Sequence, residues 1–252
     1  MYCWADKFVF KRSIRLPQEI PLELAGNLAA YRTTAAVDEY SVYRLFREEN
    51  YLFSKFYKAG DSILDLACGL GRTTLLLHEM GLRVRGIDRS EIFIEIAKRR
   101  LPYLDLRAGS YDHIEEEDSS FCHVLISHNG IDCAYPGAQR VAALRECARV
   151  LKPGGTFIYS SHNLKSLHWF SPRYRSRLLW KLSNSAKAFN DWAYVVESGI
   201  HMFYASPDFV IRQTEEAGLR LVQMRWSSKF NVDLVDKYFA PYIYYVFVKP
   251  LH

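Results

Sequence analysis

One stretch of the sequence decides the fold: Ile63-Leu-Asp-Leu-Ala-Cys-Gly-Leu-Gly-Arg-Thr-Thr74. The apolar run Ile63–Leu66 ends in a turn of small residues, and Thr73-Thr-Leu-Leu-Leu-His-Glu-Met80 follows directly. This order predicts a buried strand, a tight loop and a helix. Gly69 and Gly71 let the backbone approach a ligand closely, and free amides at the helix start favour hydrogen-bond acceptors. The turn is therefore predicted to hold a small molecule at the carboxyl edge of a parallel sheet.

The next predicted strand ends in an acid. Leu82-Arg-Val-Arg-Gly-Ile-Asp88 has the pattern of a strand, and Ser90 is placed to cap a helix from Glu91 to Leu101. An acid at the end of the second strand is positioned to accept hydrogen bonds from a ribose diol, as in dinucleotide-binding folds. The glycine turn and this acid together predict an adenosine-type ligand.

Two phosphate-binding motifs fit the turn less well. A nicotinamide fingerprint places a third glycine where this chain has Thr74. A Walker loop has Gly-Lys-Ser/Thr where this chain has Gly71-Arg72-Thr73, and its upstream glycine is missing. An NAD-dependent oxidoreductase therefore remains only as an alternative.

Asp65-Leu-Ala67-Cys68-Gly69-Leu-Gly71 resembles motif I of the class I S-adenosylmethionine-dependent methyltransferases, in the form Asp-x-Ala-Cys-Gly-x-Gly. Three later segments follow in the family's order. Gly86-Ile-Asp88-Arg-Ser90-Glu is similar to its ribose motif, and Glu146–Gly155 is similar to its signature before the fifth strand. Ala217-Gly218-Leu219 is similar to its turn before the sixth strand. The resemblance covers roughly residues 36–250. It implies S-adenosylmethionine as cofactor and S-adenosylhomocysteine as product.

The resemblance also implies the contacts of the methionine part and the ribose. Ala67, Cys68, Gly69 and Gly71 form the turn that lines the methionine part, mainly through backbone atoms. Two acids complete this region. Asp65 is expected to order the turn and the ammonium group of the cofactor. Asp88 is expected to accept hydrogen bonds from the ribose hydroxyls.

The adenine and carboxylate contacts are less regular. Arg89 is expected to cover the adenine edge. Many relatives carry Gly-Asp-Ala after the third strand, whereas this chain has Gly109-Ser110-Tyr111, so either Ser110 bonds the adenine amine or Tyr111 stacks on the ring. Tyr40 or Arg44, on a preceding helix, is a candidate for the cofactor carboxylate, with core packing as the alternative role of Tyr40.

Loops after the fourth and fifth strands should line the reactive side of the site. They contain His128 and Asn129 in one loop and His162 in the other. A histidine titrates near neutral pH and is suited to act as base, while an asparagine is suited to orient an acceptor. The alternative is that these polar residues only satisfy turn backbone. His201 and Tyr204 are weaker candidates, and no ligand spacing for a metal is present.

Strands and helices alternate through the core of the sequence, which favours an α/β fold. The expected architecture is a Rossmann-like, seven-stranded, mostly parallel sheet with helices on both faces, a final antiparallel strand and an inserted lid between strands 5 and 6. Strands are predicted near 62–66, 83–87, 104–108, 121–127, 156–161, 219–225 and 241–248, and helices near 36–58, 72–80, 91–101, 138–150 and 207–217. Residues 1–35 are predicted to be an irregular segment and 36–252 one methyltransferase domain.

A long insertion, residues 163–205, interrupts this pattern at the ligand edge. Between Lys165 and Asn190 it holds six basic and no acidic residues, interleaved with aromatic ones. Three interpretations stay open: a lid whose cations meet an anionic acceptor, a solvated helix whose long side chains cover apolar surface, or a peripheral membrane contact.

The bulk properties limit the class of protein. The 33 basic and 28 acidic residues give a net charge of +5, too mild to indicate nucleic acid. Five scattered cysteines without a Cys-x-x-Cys motif are typical of reduced thiols, so a cytoplasmic location is expected. No signal peptide is recognisable at the start, and no apolar run approaches the roughly 18 residues of a membrane span.

The leading functional interpretation is a methyltransferase acting on the oxygen or nitrogen of a small molecule. A sugar-containing or anionic acceptor is one candidate class. A non-catalytic S-adenosylmethionine-binding protein is the alternative. The acceptor, the methylated atom and the oligomeric state do not follow from the sequence.

Overall fold

The computed structural model describes residues 43–167, 191–197, 200–227 and 239–251. Five α-helices lie in these ranges: α1 (Arg47–Phe56), α2 (Arg72–Glu79), α3 (Glu91–Arg100), α4 (Gly137–Val150) and α5 (Pro207–Glu215). Nine strands accompany them: β1 (Ser62–Leu66), β2 (Arg83–Asp88), β3 (Asp105–Ala108), β4 (Phe121–Ile126), β5 (Leu151–Asn163), β6 (Trp192–Glu197), β7 (Ile200–Ala205), β8 (Arg220–Trp226) and β9 (Tyr242–Val248). Among the helices so described, none combines the length and apolarity needed to cross a lipid bilayer.

Seven of the strands form the predicted sheet. The order β3-β2-β1-β4-β5 is parallel throughout, and β9 then pairs antiparallel with both β5 and β8. The predicted mostly parallel α/β sheet and its antiparallel last strand are therefore confirmed. This order places the carboxyl ends of β1, β2, β3, β4 and β5 along one edge.

The central strands β1 and β4 are buried on both faces, which explains their continuous apolar sequences. Successive residues of a strand point to opposite faces. Leu64 and Leu66 accordingly pack in one cluster, with α4 and α5, whereas Ile63 packs in another, with α1 and α2. β4 follows the same rule, because Leu125 joins the cluster of Ile63.

Two strands within the insertion were not predicted. β5 extends beyond the end of β4. The last residue of β4 to pair is Ile126, with Tyr159, whereas the later β5 residues His162 and Asn163 pair with β7. The other side of β5 is occupied by β9 along this length. The antiparallel hairpin β6–β7 therefore lies on the β4 side, directly beyond the end of β4. Most of the basic stretch, residues 168–190, lies outside the described residues.

The first described helix is shorter than predicted. It begins at Arg47 rather than near residue 36, and residues 43–46 precede it in extended or irregular backbone. The backbone N–H of Phe46 donates to the carboxylate of Glu49 at 2.8 Å, which satisfies an amide at the helix start. Tyr40 and the segment 1–35 lie outside the described residues.

Candidate functional site

The turn after β1 has the backbone that its small residues predict. Ala67, Gly69 and Gly71 all adopt positive φ, at 53°, 58° and 82°. Space above Gly69 is open, since an added Cβ would meet only Phe93, at 3.9 Å. Gly130, in the loop after β4, approaches closely, because an added Cβ there would lie 2.8 Å from the Ala67 Cβ. The turn is thus tightly packed from behind and open at Gly69, while Cys68 is buried beneath it.

Asp65 lies at the end of β1 and has no solvent exposure. Its Oδ2 accepts hydrogen bonds from the hydroxyls of Thr73 and Thr74, both at 2.7 Å, so it holds the start of α2 against the turn. Its Oδ1 is buried and accepts no hydrogen bond within the described residues. Burial raises the pKa of this carboxyl to about 6. A buried carboxylate oxygen without a donor fits a ligand that brings a cation, such as an ammonium group.

Asp88, at the end of β2, joins two parts of the site. Its Oδ2 accepts from the backbone N–H of Gly69 and its Oδ1 from that of Ser90, both at 2.8 Å. The residue is half-buried, and burial raises the pKa of its carboxyl. Each ionised oxygen can accept more than one hydrogen bond. Both oxygens therefore keep capacity for a diol while they fix the turn.

The loop after β3 carries an acid that sequence reasoning missed. Asp112 accepts the hydroxyl of Ser110 and the amide of Gln139, the latter at 2.8 Å, and lies 3.7 Å from the guanidinium of Arg89. Its position two residues after Ser110 was the available signal. Tyr111 is 7% exposed and belongs to the main core cluster, with the Arg89 guanidinium 5.8 Å from its ring centroid.

A buried ion pair ties α1 to the site. The carboxylate of Glu49, fully buried, receives both terminal nitrogens of Arg72, at 2.7 and 2.8 Å. Ser127, directly after β4, donates its hydroxyl to Glu49 and accepts from Arg72 at 2.9 Å. The network joins α1, the start of α2 and the loop after β4. Arg44, by contrast, is exposed and offers its carbonyl to Arg72 at 2.8 Å.

The structure brings together two of the three predicted catalytic residues. The side-chain nitrogen Nδ2 of Asn129 lies 3.3 Å from Nε2 of His162. His128 and Asn129 both adopt left-handed backbone, with φ of 50° and 58°. The His128 side chain reaches solvent and lies 5.4 Å from the ring of Phe46, between centroids. Desolvation by the surrounding protein, aided by the charge of Arg72, lowers the pKa of His128.

A second acid, not singled out from the sequence, lies behind His162. Asp132 is fully buried in a 3-10 turn, Gly130–Cys133, and its Oδ2 lies 2.8 Å from Nδ1 of His162. Within the described residues, no group of His, Cys, Asp and Glu is arranged to hold a metal ion. The weaker candidates lie nearby: the Tyr204 ring is 4.5 Å from that of His162, and His201 stacks on Tyr135.

Comparison with known proteins shows which family the central part of the chain resembles. A family model described as "Methyltransferase domain" matches residues 63–155, which run from β1 into β5. A probable S-adenosylmethionine-dependent methyltransferase of Mycolicibacterium smegmatis is 33% identical over 125 residues, which are 46% of this chain and 47% of that protein. Residues 63–155 are thus similar in sequence to a methyltransferase domain. The chain spans about half the length of that curated relative.

Two further methyltransferases match more of the chain at lower identity. Ubiquinone biosynthesis O-methyltransferase of Coxiella burnetii is 24% identical over 184 residues, 69% of this chain and 70% of that protein. The crystal structure of 1,6-didemethyltoxoflavin-N1-methyltransferase from Burkholderia thailandensis, with its substrate and S-adenosylhomocysteine, superposes with a TM-score of 0.62. That match covers 88% of this chain and 84% of the other at 15% identity, so it supports the fold of the methyltransferase domain.

Proposed function

We propose that this protein transfers a methyl group from S-adenosylmethionine to an oxygen or nitrogen of a small-molecule acceptor. The observation that carries the proposal is the pair of acids around the open turn. Asp65 presents a buried oxygen without a donor, and Asp88 presents two oxygens with spare acceptor capacity. The two acids lie near the carboxyl ends of the neighbouring strands β1 and β2, so both belong to the same edge of the sheet.

The residues present fit the cofactor part by part. Asp65 would face the ammonium group, the backbone of the turn would line the methionine chain, and Asp88 would hold the ribose hydroxyls. Ser110 and Asp112, after β3, form a polar group with Arg89, after β2, that is suited to the adenine amine. When bound, S-adenosylmethionine supplies an electrophilic methyl group, so the protein itself must mainly align and deprotonate the acceptor.

The acceptor side of the site is formed by the loops after β4 and β5. His128, Asn129 and His162 are the residues we expect to touch the acceptor, with a histidine as general base. A base is needed only where the acceptor is a hydroxyl or an amine that must lose a proton. The names of the quinone and toxoflavin relatives, an O-methyltransferase and an N-methyltransferase, support both atom types. A sugar-containing or anionic acceptor remains part of the proposal.

The remaining proposals concern the whole chain. Residues 36–252 are proposed to form one domain, with 163–205 as an insertion over the acceptor, and residues 1–35 an irregular segment. The mild net charge supports a small-molecule acceptor rather than nucleic acid. The scattered cysteines support a cytoplasmic location. Peripheral contact with a membrane through the basic stretch stays an alternative use of the insertion.

The test combines binding with turnover. Titration calorimetry of the full chain with S-adenosylhomocysteine should show binding at one site, and NAD should give no heat. Release of S-adenosylhomocysteine from S-adenosylmethionine is then measured with a panel of phenols, amines and sugar-linked hydroxyl compounds. Binding together with acceptor-dependent release supports the proposal. Binding without release for any acceptor would favour a non-catalytic cofactor-binding protein, and absence of binding would overturn both.

A further inference from the structure

We propose that Asp132 is a positioning residue that holds His162 in one tautomer, with its proton on Nδ1 and the lone pair of Nε2 turned toward the acceptor. The inference rests on the proposed function and extends it. It selects His162 over His128 as the base and assigns the acceptor to molecules that bear a transferable O–H or N–H proton.

The carboxylate of Asp132 is surrounded by hydrogen-bond donors. Its Oδ1 accepts from Arg140 at 2.8 Å and from the hydroxyl of Ser161 at 2.7 Å. Its Oδ2 accepts from the backbone N–H of His162 at 2.7 Å. Arg140 is 1% exposed by its side chain, and it also donates to Gln213 and to the carbonyl of residue 131. Because a guanidinium stays protonated in proteins, Arg140 supplies the positive charge that a buried carboxylate needs beside it.

An ionised carboxylate only accepts hydrogen bonds, so it decides the tautomer of the ring beside it. Nδ1 of His162 lies 2.8 Å from Oδ2 of Asp132 and must therefore carry the proton of that hydrogen bond. Nε2 of the neutral ring then carries the lone pair. The contact on the opposite side agrees, since the amide nitrogen of Asn129 lies 3.3 Å from Nε2 and donates toward it.

The same arrangement leaves a gap for a donor. Asn129 is 6% exposed, and its Oδ1 is buried without a hydrogen-bond partner among the described residues. An acceptor hydroxyl or amine at this position could donate to that oxygen, or to Nε2 of His162 in place of the Asn129 amide. A carboxylate acceptor could satisfy neither group and would need no base. The site therefore favours alcohols, phenols or amines.

His128 lies in a different setting, because its side chain is exposed and its ring faces that of Phe46, 5.4 Å away between centroids. His162 is additionally covered by the ring of Tyr204, 4.5 Å away, which limits rotation of the imidazole. A base that is oriented by a third group is the arrangement that activates nucleophiles in many enzymes.

The proposed step couples methyl transfer to deprotonation of the acceptor. The acceptor O–H or N–H gives its proton to Nε2 of His162 while the lone pair of that oxygen or nitrogen forms the new bond to the methyl carbon. The electron pair of the broken carbon–sulfur bond stays on sulfur, which loses its positive charge. The resulting imidazolium is stabilised by Asp132, to which its Nδ1–H still donates, and the proton later passes to solvent.

The decisive experiment is nitrogen NMR of histidine-labelled protein in the unliganded state. H162Q identifies the His162 signals by their loss. The wild-type spectrum should show a protonated Nδ1 and a bare Nε2 at a pH where the ring is neutral. D132N presents an amide N–H to Nδ1, so the proton should move to Nε2. A wild-type ring that is protonated on Nε2 overturns the proposal without any activity measurement.

Kinetics give the second readout. D132N should lower kcat by about 10²–10⁴-fold, the usual contribution of general base catalysis. The dissociation constant of S-adenosylhomocysteine should change less than about twofold, because Asp132 lies behind the acceptor side. D118N is the matched control, since Asp118 is an exposed acid paired with Arg149, and both constants should stay at wild-type values. Wild-type kcat in folded D132N would overturn the proposal.

Loss of the Asp132 charge leaves Arg140 buried without its partner, so D132N is checked for folding by circular dichroism. If it does not fold, D132N/R140Q removes both charges and should give the same loss of the Nδ1 proton and of kcat. The experiments distinguish failure of the proposed function from failure of the role of Asp132. Correct tautomers without turnover on any acceptor would remove the proposed function alone, whereas turnover with the wrong tautomer would remove the role of Asp132 alone.

Discussion

Replacement of Asp88 by alanine removes both carboxylate oxygens that we assign to the ribose. Each oxygen already accepts one backbone N–H, from Gly69 or Ser90, at 2.8 Å. A hydrogen bond to a charged group contributes about 1.5–3 kcal/mol, so loss of two to the diol costs roughly 3–6 kcal/mol of binding free energy. Since 1.4 kcal/mol corresponds to a factor of ten, D88A should weaken S-adenosylhomocysteine binding by about 10²–10⁴-fold.

Part of this loss is indirect, and D88N separates the two parts. The amide oxygen of D88N can still accept one backbone N–H, but its NH₂ group turns a donor toward the other. The turn at Gly69 should therefore loosen in both variants, while only D88N can still accept one hydrogen bond from the diol. We expect D88N to bind more tightly than D88A and both to bind more weakly than wild type.

The assay is titration calorimetry at 25 °C, with thermal unfolding to confirm that each variant is folded. D105A is the control, because Asp105 begins the neighbouring strand β3 and pairs with Arg85 at 2.7 Å, away from the turn. Its dissociation constant should match wild type. If D88A binds S-adenosylhomocysteine within about threefold of D105A, the assignment of Asp88 to the ribose is wrong.

Two further predictions concern stability. An added Cβ at Gly86 would lie 2.7 Å from Leu106 and 2.9 Å from Thr74, so G86A should lower the free energy of unfolding in urea by about 1–3 kcal/mol. The control G137A should not destabilise, because its Cβ would meet only the Tyr194 hydroxyl, at 3.9 Å. Equal effects of the two substitutions would contradict the packing argument. The pKa of Asp65 is raised from 3.8 to about 6, so its contribution to folding stability is fully present below pH 3.8 and falls by about 3 kcal/mol as the pH rises through 6. The difference in unfolding free energy between wild type and D65N should therefore change across this window, and a constant difference would refute the burial of an ionisable Asp65.

Element positions near the glycine turn followed closely from the sequence. β1 has the predicted bounds, Ser62–Leu66, because a strand buried on both faces needs a continuous apolar run and the turn ends it sharply. α3 begins at Glu91 as predicted, because the Ser90 hydroxyl caps it by accepting from the N–H of Phe93. In both cases the signal is local, so neighbouring residues alone determine it.

The parts that could not be predicted depend on residues far apart in the chain. β5 runs from Leu151 to Asn163, longer than predicted at both ends, because its last residues pair with β7 and with β9. The Glu49–Arg72 pair joins residues 23 positions apart, and no local pattern marks it. The sequence positions of His162 and Asn129 predict that both lie at one sheet edge. They do not predict that the two side chains contact each other.

The insertion and the candidate base are coupled through the extension of β5. Because β5 continues past the end of β4, the strand β7 can pair with His162 itself, opposite Tyr204. The hairpin also packs on the turn that holds Asp132, since the Tyr194 hydroxyl donates to the carbonyl of Ala134 at 2.5 Å. The hairpin therefore supplies the aromatic ring over His162 and packs beside the turn that carries Asp132. The insertion thus contributes to the orientation of His162, a role that the sequence-based interpretation as a lid did not include.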